Sequence, residues 1–235
     1  MVQTRTVEWT VAGDPFEGLL ATPDGQARGA VLICHAWAGR AEHEEAVARK
    51  LAGLGYAAMA GDVYGLGVRG GSVEECQALM TPLVEDRRGK LKDRLAASLD
   101  ALTGEAPGAP VAAAGYCFGG LCALDMARAG LDVRSVTAFH AILGEDGEPR
   151  GGDIGPRVLA LQGADDPMAT ADDRAAFEAE MTERGADWQL HTYGGVKHAF
   201  TNEAAHDHDL GTVYDAQAAR RSWGTFTAFL EETLG

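Results

Sequence analysis

The sequence predicts an α/β fold: a mostly parallel sheet with helices on both faces, entered through an N-terminal antiparallel hairpin. Three observations carry that prediction. They are short apolar runs of strand length, longer amphipathic stretches alternating with them, and turns rich in glycine, aspartate and proline between the two. The 235 residues suffice for a sizeable buried core, and no internal repeat or low-complexity linker divides them. Residues 1–235 are therefore expected to form one domain.

The elements follow in order. Thr6 to Val11 and Phe16 to Ala21 flank Ala12-Gly13-Asp14-Pro15 and read as the hairpin. Ala30 to Cys34 reads as a buried strand, Glu44 to Leu54 as an amphipathic helix and Tyr56 to Ala60 as the next strand. Leu83 to Leu102, rich in leucine and charge, predicts one long helix. Val111 to Ala114 is a strand of small residues, and Val133 to Phe139 another strand. Arg157 to Gln162 and Trp188 to Tyr193 are strands separated by a helix over Ala169 to Arg184, and Val213 to Leu234 is the closing helix. Right-handed crossovers would gather the C-terminal ends of the parallel strands along one edge.

The segment Gly115-Tyr116-Cys117-Phe118-Gly119-Gly120 stands at a predicted strand-to-helix junction and reads as a nucleophile elbow with Cys117 at its apex. A side chain at Gly115 or Gly119 would crowd the neighbouring strand and helix. A helix N-terminus favours thiolate over thiol, and the Phe118 N–H points where a carbonyl oxygen would gain charge during attack. The plainer reading of G-x-C-x-G is a tight turn around a buried cysteine that behaves as a small hydrophobe.

The residues downstream separate these readings. An elbow of this kind is followed in an α/β-hydrolase by an acid and then a histidine. Gly163-Ala164-Asp165-Asp166-Pro167 ends one predicted strand, and Gly194-Gly195-Val196-Lys197-His198-Ala199-Phe200 ends the next. Asp165 and Asp166 compete for the acid, and the G-x-x-D-P spacing selects Asp166, leaving Asp165 as a turn or capping residue. His198 takes the place of the base.

With these residues the chain resembles the dienelactone hydrolase family of the α/β-hydrolase superfamily, whose nucleophile is a cysteine. The resemblance runs through Val31 to Gly39, Gly55-Tyr56 to Asp62-Val63-Tyr64-Gly65, the Cys117 elbow, the Asp166 turn and His198-Ala199-Phe200. It implies the strand order, Cys117, Asp166 and His198 as catalytic triad, and the N–H groups of Phe118 and Trp37 as oxyanion hole. Two positions depart from the family. Members that open dienelactone carry a glutamate one residue before the oxyanion donor, where this chain has Ala36, so proton control falls more directly on His198. They also hold the substrate carboxylate with arginines, one of them four residues after the histidine, where this chain has Asn202. Arg69, Arg87 and Arg88 lie in the region of the other. The expected substrate is accordingly a small ester or lactone, with a neutral one at least as suitable as an acid. A thioesterase or small-acyl esterase on the same triad, and a non-catalytic thiol redox or ligand-binding protein, are the alternatives.

His35 and His140 each end a predicted strand and could support the site or line it. Trp37, Tyr64 and Phe200 could wall a pocket or belong to the core. Arg69 could anchor a substrate or belong to a surface turn. His206-Asp207-His208-Asp209 reads as a solvated loop rather than a metal site, and no metal or other cofactor is expected. A net charge of −15 argues against nucleic acid or an anionic membrane as partner. Cys34, Cys76, Cys117 and Cys122 form neither a C-x-x-C pair nor a disulfide framework, which points to a reducing, cytoplasmic setting. No secretory or membrane-spanning segment is visible, and a monomer or homodimer is expected.

Overall fold

The structure is a computed structural model that describes residues 1–145 and 152–235. The chain opens with β1 (Gln3–Val11) and β2 (Asp14–Thr22), paired antiparallel across their full length. The hairpin is longer than the sequence suggests because its turn is only Ala12-Gly13, both with positive φ of 51° and 92°. Such two-residue turns match strand twist and let pairing continue to the turn itself.

Strand and helix then alternate: β3 (Ala30–Cys34), α1 (Glu42–Gly53), β4 (Ala57–Ala60), α2 (Val73–Val84), α3 (Lys92–Glu105), β5 (Val111–Tyr116), α4 (Phe118–Arg128), β6 (Ser135–Phe139), β7 (Arg157–Gly163), α5 (Ala171–Glu183), β8 (Trp188–Tyr193) and α6 (Ala216–Leu234). The sheet order is β1-β2-β4-β3-β5-β6-β7-β8. β2 joins β4 antiparallel, and β4, β3, β5, β6, β7 and β8 pair parallel.

The central strands are apolar on both faces because both are covered, and neighbouring residues divide between two cores. Leu32, Met59, Ala113 and Val136 pack with Leu95, Leu99 and Leu121 of α3 and α4. Val31, Ile33, Ala112, Leu159 and Leu161 pack with Val47 and Leu51 of α1 and Phe226, Phe229 and Leu230 of α6.

The single helix expected over Leu83 to Leu102 is broken. Between α2 and α3 lies a π-helical turn, Arg87–Leu91, preceded by Asp86, whose carboxylate accepts from the N–H groups of Gly89 and Lys90 at 3.1 and 3.0 Å. An aspartate that takes backbone donors for itself competes with helix continuation. Arg87 turns inward to Asp125, with Nε and Nη2 each 2.6 Å from a carboxylate oxygen. Asp125 also meets Arg128, which pairs with Glu180 of α5. This buried network ties α4 to α5 and to the carbonyls of Leu143 and Gly144.

The last helix starts at Ala216, not Val213, because Asp215 caps it by accepting from Ala218 N–H at 2.7 Å. Thr212–Val213 forms instead β10, paired with β9 (His206–Asp207). The segment expected to be loop thus carries a two-residue ladder, though His206 and Asp207 are exposed. Among the described residues, no helix is long and apolar enough to cross a membrane.

Candidate active site

Cys117 occupies the junction of β5 and α4 with φ +57° and ψ −116°, a conformation few non-glycine residues adopt. The glycines around it are required by contact. A Cβ on Gly115 would lie 1.9 Å from the Gly119 carbonyl oxygen, and one on Gly119 would lie 2.1 Å from that of Cys34. Close approach of α4 to β5 and β3 is what raises the Cys117 side chain at the sheet edge. Phe118 is the first residue of α4, so its N–H has no carbonyl one turn earlier in the helix.

Asp166 follows β7 and is 3 % exposed, whereas Asp165 faces solvent. One Asp166 oxygen accepts from the Met168 N–H at 2.8 Å, and the other accepts from His198 Nδ1 at 2.8 Å. Asp166, and not Asp165, is thus the carboxylate that His198 meets. His198, 1 % exposed, is held by its own backbone, donating to the Gly211 carbonyl and accepting from Val213 N–H at 3.0 and 2.9 Å. Gly163 makes room for this loop, since a Cβ there would lie 2.3 Å from the Val196 carbonyl oxygen. Burial disfavours a charged imidazole at His198. The hydrogen bond to Asp166 and the adjoining Cys117 sulfur outweigh it, and the pKa is pushed up to about 10. Nε2 has no hydrogen-bond partner among other described residues and is the ring nitrogen left for the thiol.

The turn after β3 supplies the facing wall. His35 Nδ1 lies 2.7 Å from the Ala36 carbonyl, Gly39 N–H donates to that carbonyl at 3.0 Å, and Tyr64 Oη donates to the Trp37 carbonyl at 2.8 Å. The Trp37 N–H enters none of these bonds.

A cavity of about 350 Å³ opens above Cys117 and His198. Ala36, Trp37, His140 and Asn202 line it. His35, Tyr64 and Phe200 do not: they are buried behind it, Tyr64 stacked on Phe118 and Phe200 edge-on to His140. Arg69 is also excluded, its guanidinium turned to the carbonyls of Arg40 and Val68. Arg87 is buried against Asp125, and Arg88 does not line the cavity. No arginine or lysine stands among the described lining residues.

His140 has a φ of +37° and bonds Thr201 Oγ1 through Nε2 at 2.8 Å, its ring centre 5.0 Å from that of His198. Burial, then the neighbouring His198 and His43, hold its pKa well below the ordinary histidine range. Burial also pushes Cys34 up to about 12 and raises Cys122 and Cys76, so those sulfurs remain thiols.

Sequence reasoning missed several wall residues: His43 and Glu44 from α1, Met80, Ile142 and Met168. Glu44 makes only the carboxylate half of a capping box on α1, accepting from the Ala41 N–H at 3.0 Å, because the alanine at the N-cap has no oxygen to return the bond, and the usual Ser/Thr-x-x-Glu signature is missing.

An eight-stranded sheet of this order, with an elbow after β5, an acid after β7 and a histidine after β8, is the α/β-hydrolase fold. The match to the dienelactone hydrolase family model extends over residues 16–234, and the chain belongs to that family. As a member it is a carboxylic ester or lactone hydrolase. A provisionally named carboxymethylenebutenolidase of Aquifex aeolicus is 26 % identical over 242 residues, 98 % of this chain and 99 % of that one. An uncharacterised Caenorhabditis elegans protein is 36 % identical over 157 residues, 65 % of this chain and 99 % of its own. Among solved structures, the dienelactone hydrolase-like promiscuous phosphotriesterase P91 from metagenomic libraries is 31 % identical, with a TM-score of 0.92 over 100 % of this chain and 99 % of that one.

Proposed function

We propose that the protein hydrolyses small neutral esters or lactones through Cys117, His198 and Asp166, with a thioester formed on the cysteine. The observation that carries the reading is the Nδ1 contact of 2.8 Å between His198 and Asp166, which leaves Nε2 for the sulfur beneath the cavity. Asp166 sets the tautomer and stabilises the imidazolium. His198, protonated at its raised pKa, holds on Nε2 the proton that has left Cys117, and the thiolate of this pair attacks the ester carbonyl. The N–H groups of Phe118 and Trp37 meet the oxyanion, each such donor contributing about 3–4 kcal/mol to the transition state. Collapse breaks the acyl–oxygen bond, and His198 returns the proton to the departing alkoxide. Water activated by His198 then attacks the thioester, releasing the acid and restoring the pair.

Thiolate is itself a good leaving group, so esters of stabilised alcohols, such as enol esters and activated lactones, suit the first step. The lining supports a neutral substrate. Among the described residues it offers no arginine or lysine, and it includes the Glu44 carboxylate and the apolar side chains of Met80, Ile142, Met168 and Leu210. An anionic ester would be desolvated there with no described guanidinium or ammonium to pair its carboxylate.

The test is a panel of 4-nitrophenyl esters, thioesters, neutral lactones and a dienelactone acid, run on wild type, Cys117→Ala and Cys117→Ser, with mass spectrometry of the quenched enzyme. A transient acyl adduct on Cys117 and loss of turnover in Cys117→Ala are expected. Full turnover in Cys117→Ala overturns the mechanism. Stable ligand occupancy or oxidation of the sulfur without product would indicate a thiol-based binding or redox protein. A phosphotriester belongs on the panel, because one relative of high structural similarity is a promiscuous phosphotriesterase.

A further inference from the structure

Glu44 lies in the cavity wall, 2 % exposed, and no step of the proposed reaction uses it. At the third position of a helix a glutamate ordinarily reaches back to the N-cap N–H from the surface. Here one oxygen does so, accepting from Ala41 N–H at 3.0 Å. The other accepts from Ala36 N–H, eight residues back, at 3.2 Å. Capping α1 requires only the first bond, and withdrawing a carboxylate from water costs several kcal/mol. A solvent-facing glutamate would be the lower-energy arrangement if capping were its whole role.

The two bonds bracket the turn from Ala36 to Ala41. Inside the bracket, the Trp37 carbonyl accepts from Tyr64 Oη and the Ala38 carbonyl from Gly70 N–H at 3.0 Å. We infer that Glu44 is a positioning residue: by tying Ala36 to Ala41 it aims the Trp37 N–H at the developing oxyanion. The inference rests on the hydrolytic reading of Cys117.

Glu44→Gln sets two effects of opposite sign against each other. Removing a negative charge near the oxyanion favours turnover, while an amide NH₂ set against one of the two N–H donors breaks half the clamp. If positioning is the role, kcat for 4-nitrophenyl acetate falls about 10- to 100-fold with KM within about threefold. Affinity for a methyl trifluoromethyl ketone, which mimics the tetrahedral adduct, weakens by the same factor, and that for acetate does not change. An unchanged or raised kcat overturns the inference.

Tyr64→Phe releases the same turn from the Trp37 carbonyl and carries the test if Glu44→Gln does not fold. It should lower kcat in the same pattern, and the double variant should lose less than the product of the two single losses. A Tyr64→Phe enzyme with unchanged kcat and ketone affinity, or fully multiplicative losses, overturns the shared role. Ester hydrolysis that survives Cys117→Ala defeats the hydrolytic reading itself. Sulfur-dependent hydrolysis indifferent to Glu44 defeats only this inference.

Discussion

Gly119→Ala tests the elbow by one methyl group. Its Cβ would sit 2.1 Å from the Cys34 carbonyl oxygen, 2.6 Å from the carbonyl carbon and 2.7 Å from the His35 carbonyl oxygen. All three are backbone atoms at the end of β3, so no rotamer change relieves the contact. Since real Cβ atoms essentially never come within 3.0 Å of such neighbours, α4 and β3 must separate by about 0.9 Å, the difference from 2.1 Å. Overpacking of this kind in a buried site costs about 3 kcal/mol. The same displacement moves Phe118, which begins α4, away from Trp37, which follows β3, and a misplacement near 1 Å lowers turnover by about 100-fold. Urea unfolding and steady-state hydrolysis of a 4-nitrophenyl ester measure the two effects. Gly104→Ala is the comparison: it lies in α3 with nothing within 4 Å of an added Cβ, and it should gain about 0.5–1 kcal/mol with unchanged activity. A Gly119→Ala protein as stable and as active as wild type would refute the contact argument and the elbow geometry with it.

Two further outcomes are expected. His198 has a pKa of about 10 in the folded chain against about 6.5 when unfolded. Because the folded value is higher, its stabilisation is fully present below pH 6.5 and is lost as pH rises through 10, on the order of 5 kcal/mol across that window. Urea midpoints from about pH 6 to about pH 10.5 should therefore fall more steeply for wild type than for Asp166→Asn, and parallel curves would remove Asp166 as the cause of the shift. Asp125→Ala leaves Arg87 and Arg128 buried without a shared carboxylate, and should cost about 3–5 kcal/mol by the same unfolding assay. A loss below about 1 kcal/mol would mean that the buried Arg87 and Arg128 do not depend on the Asp125 carboxylate.

Much of the fold was legible because its signals are local. The apolar runs at β3, β5 and β7 and the amphipathic stretch at α1 appear where periodicity puts them, and the glycines around Cys117 mark the elbow before any coordinates. The break at Asp86 was hidden, since the leucines on either side keep helical spacing while a single carboxylate captures two N–H groups. His43 and Glu44 were hidden for a related reason. They fall at the start of the helix read from Glu44, and only the fold of the β3–α1 turn brings them into a cavity wall.

By itself the sequence determined an α/β chain with an elbow cysteine followed by an acid and a histidine, because those features reside in short runs and in their order. Spacing alone already preferred Asp166 to Asp165, but tertiary structure decided that Asp166 comes within 2.8 Å of His198, that Arg69 turns away from the cavity while Arg87 binds Asp125, and that Glu44 reaches Ala36. Each of those outcomes depends on distances between segments remote in the chain, which the sheet order sets and no local pattern encodes.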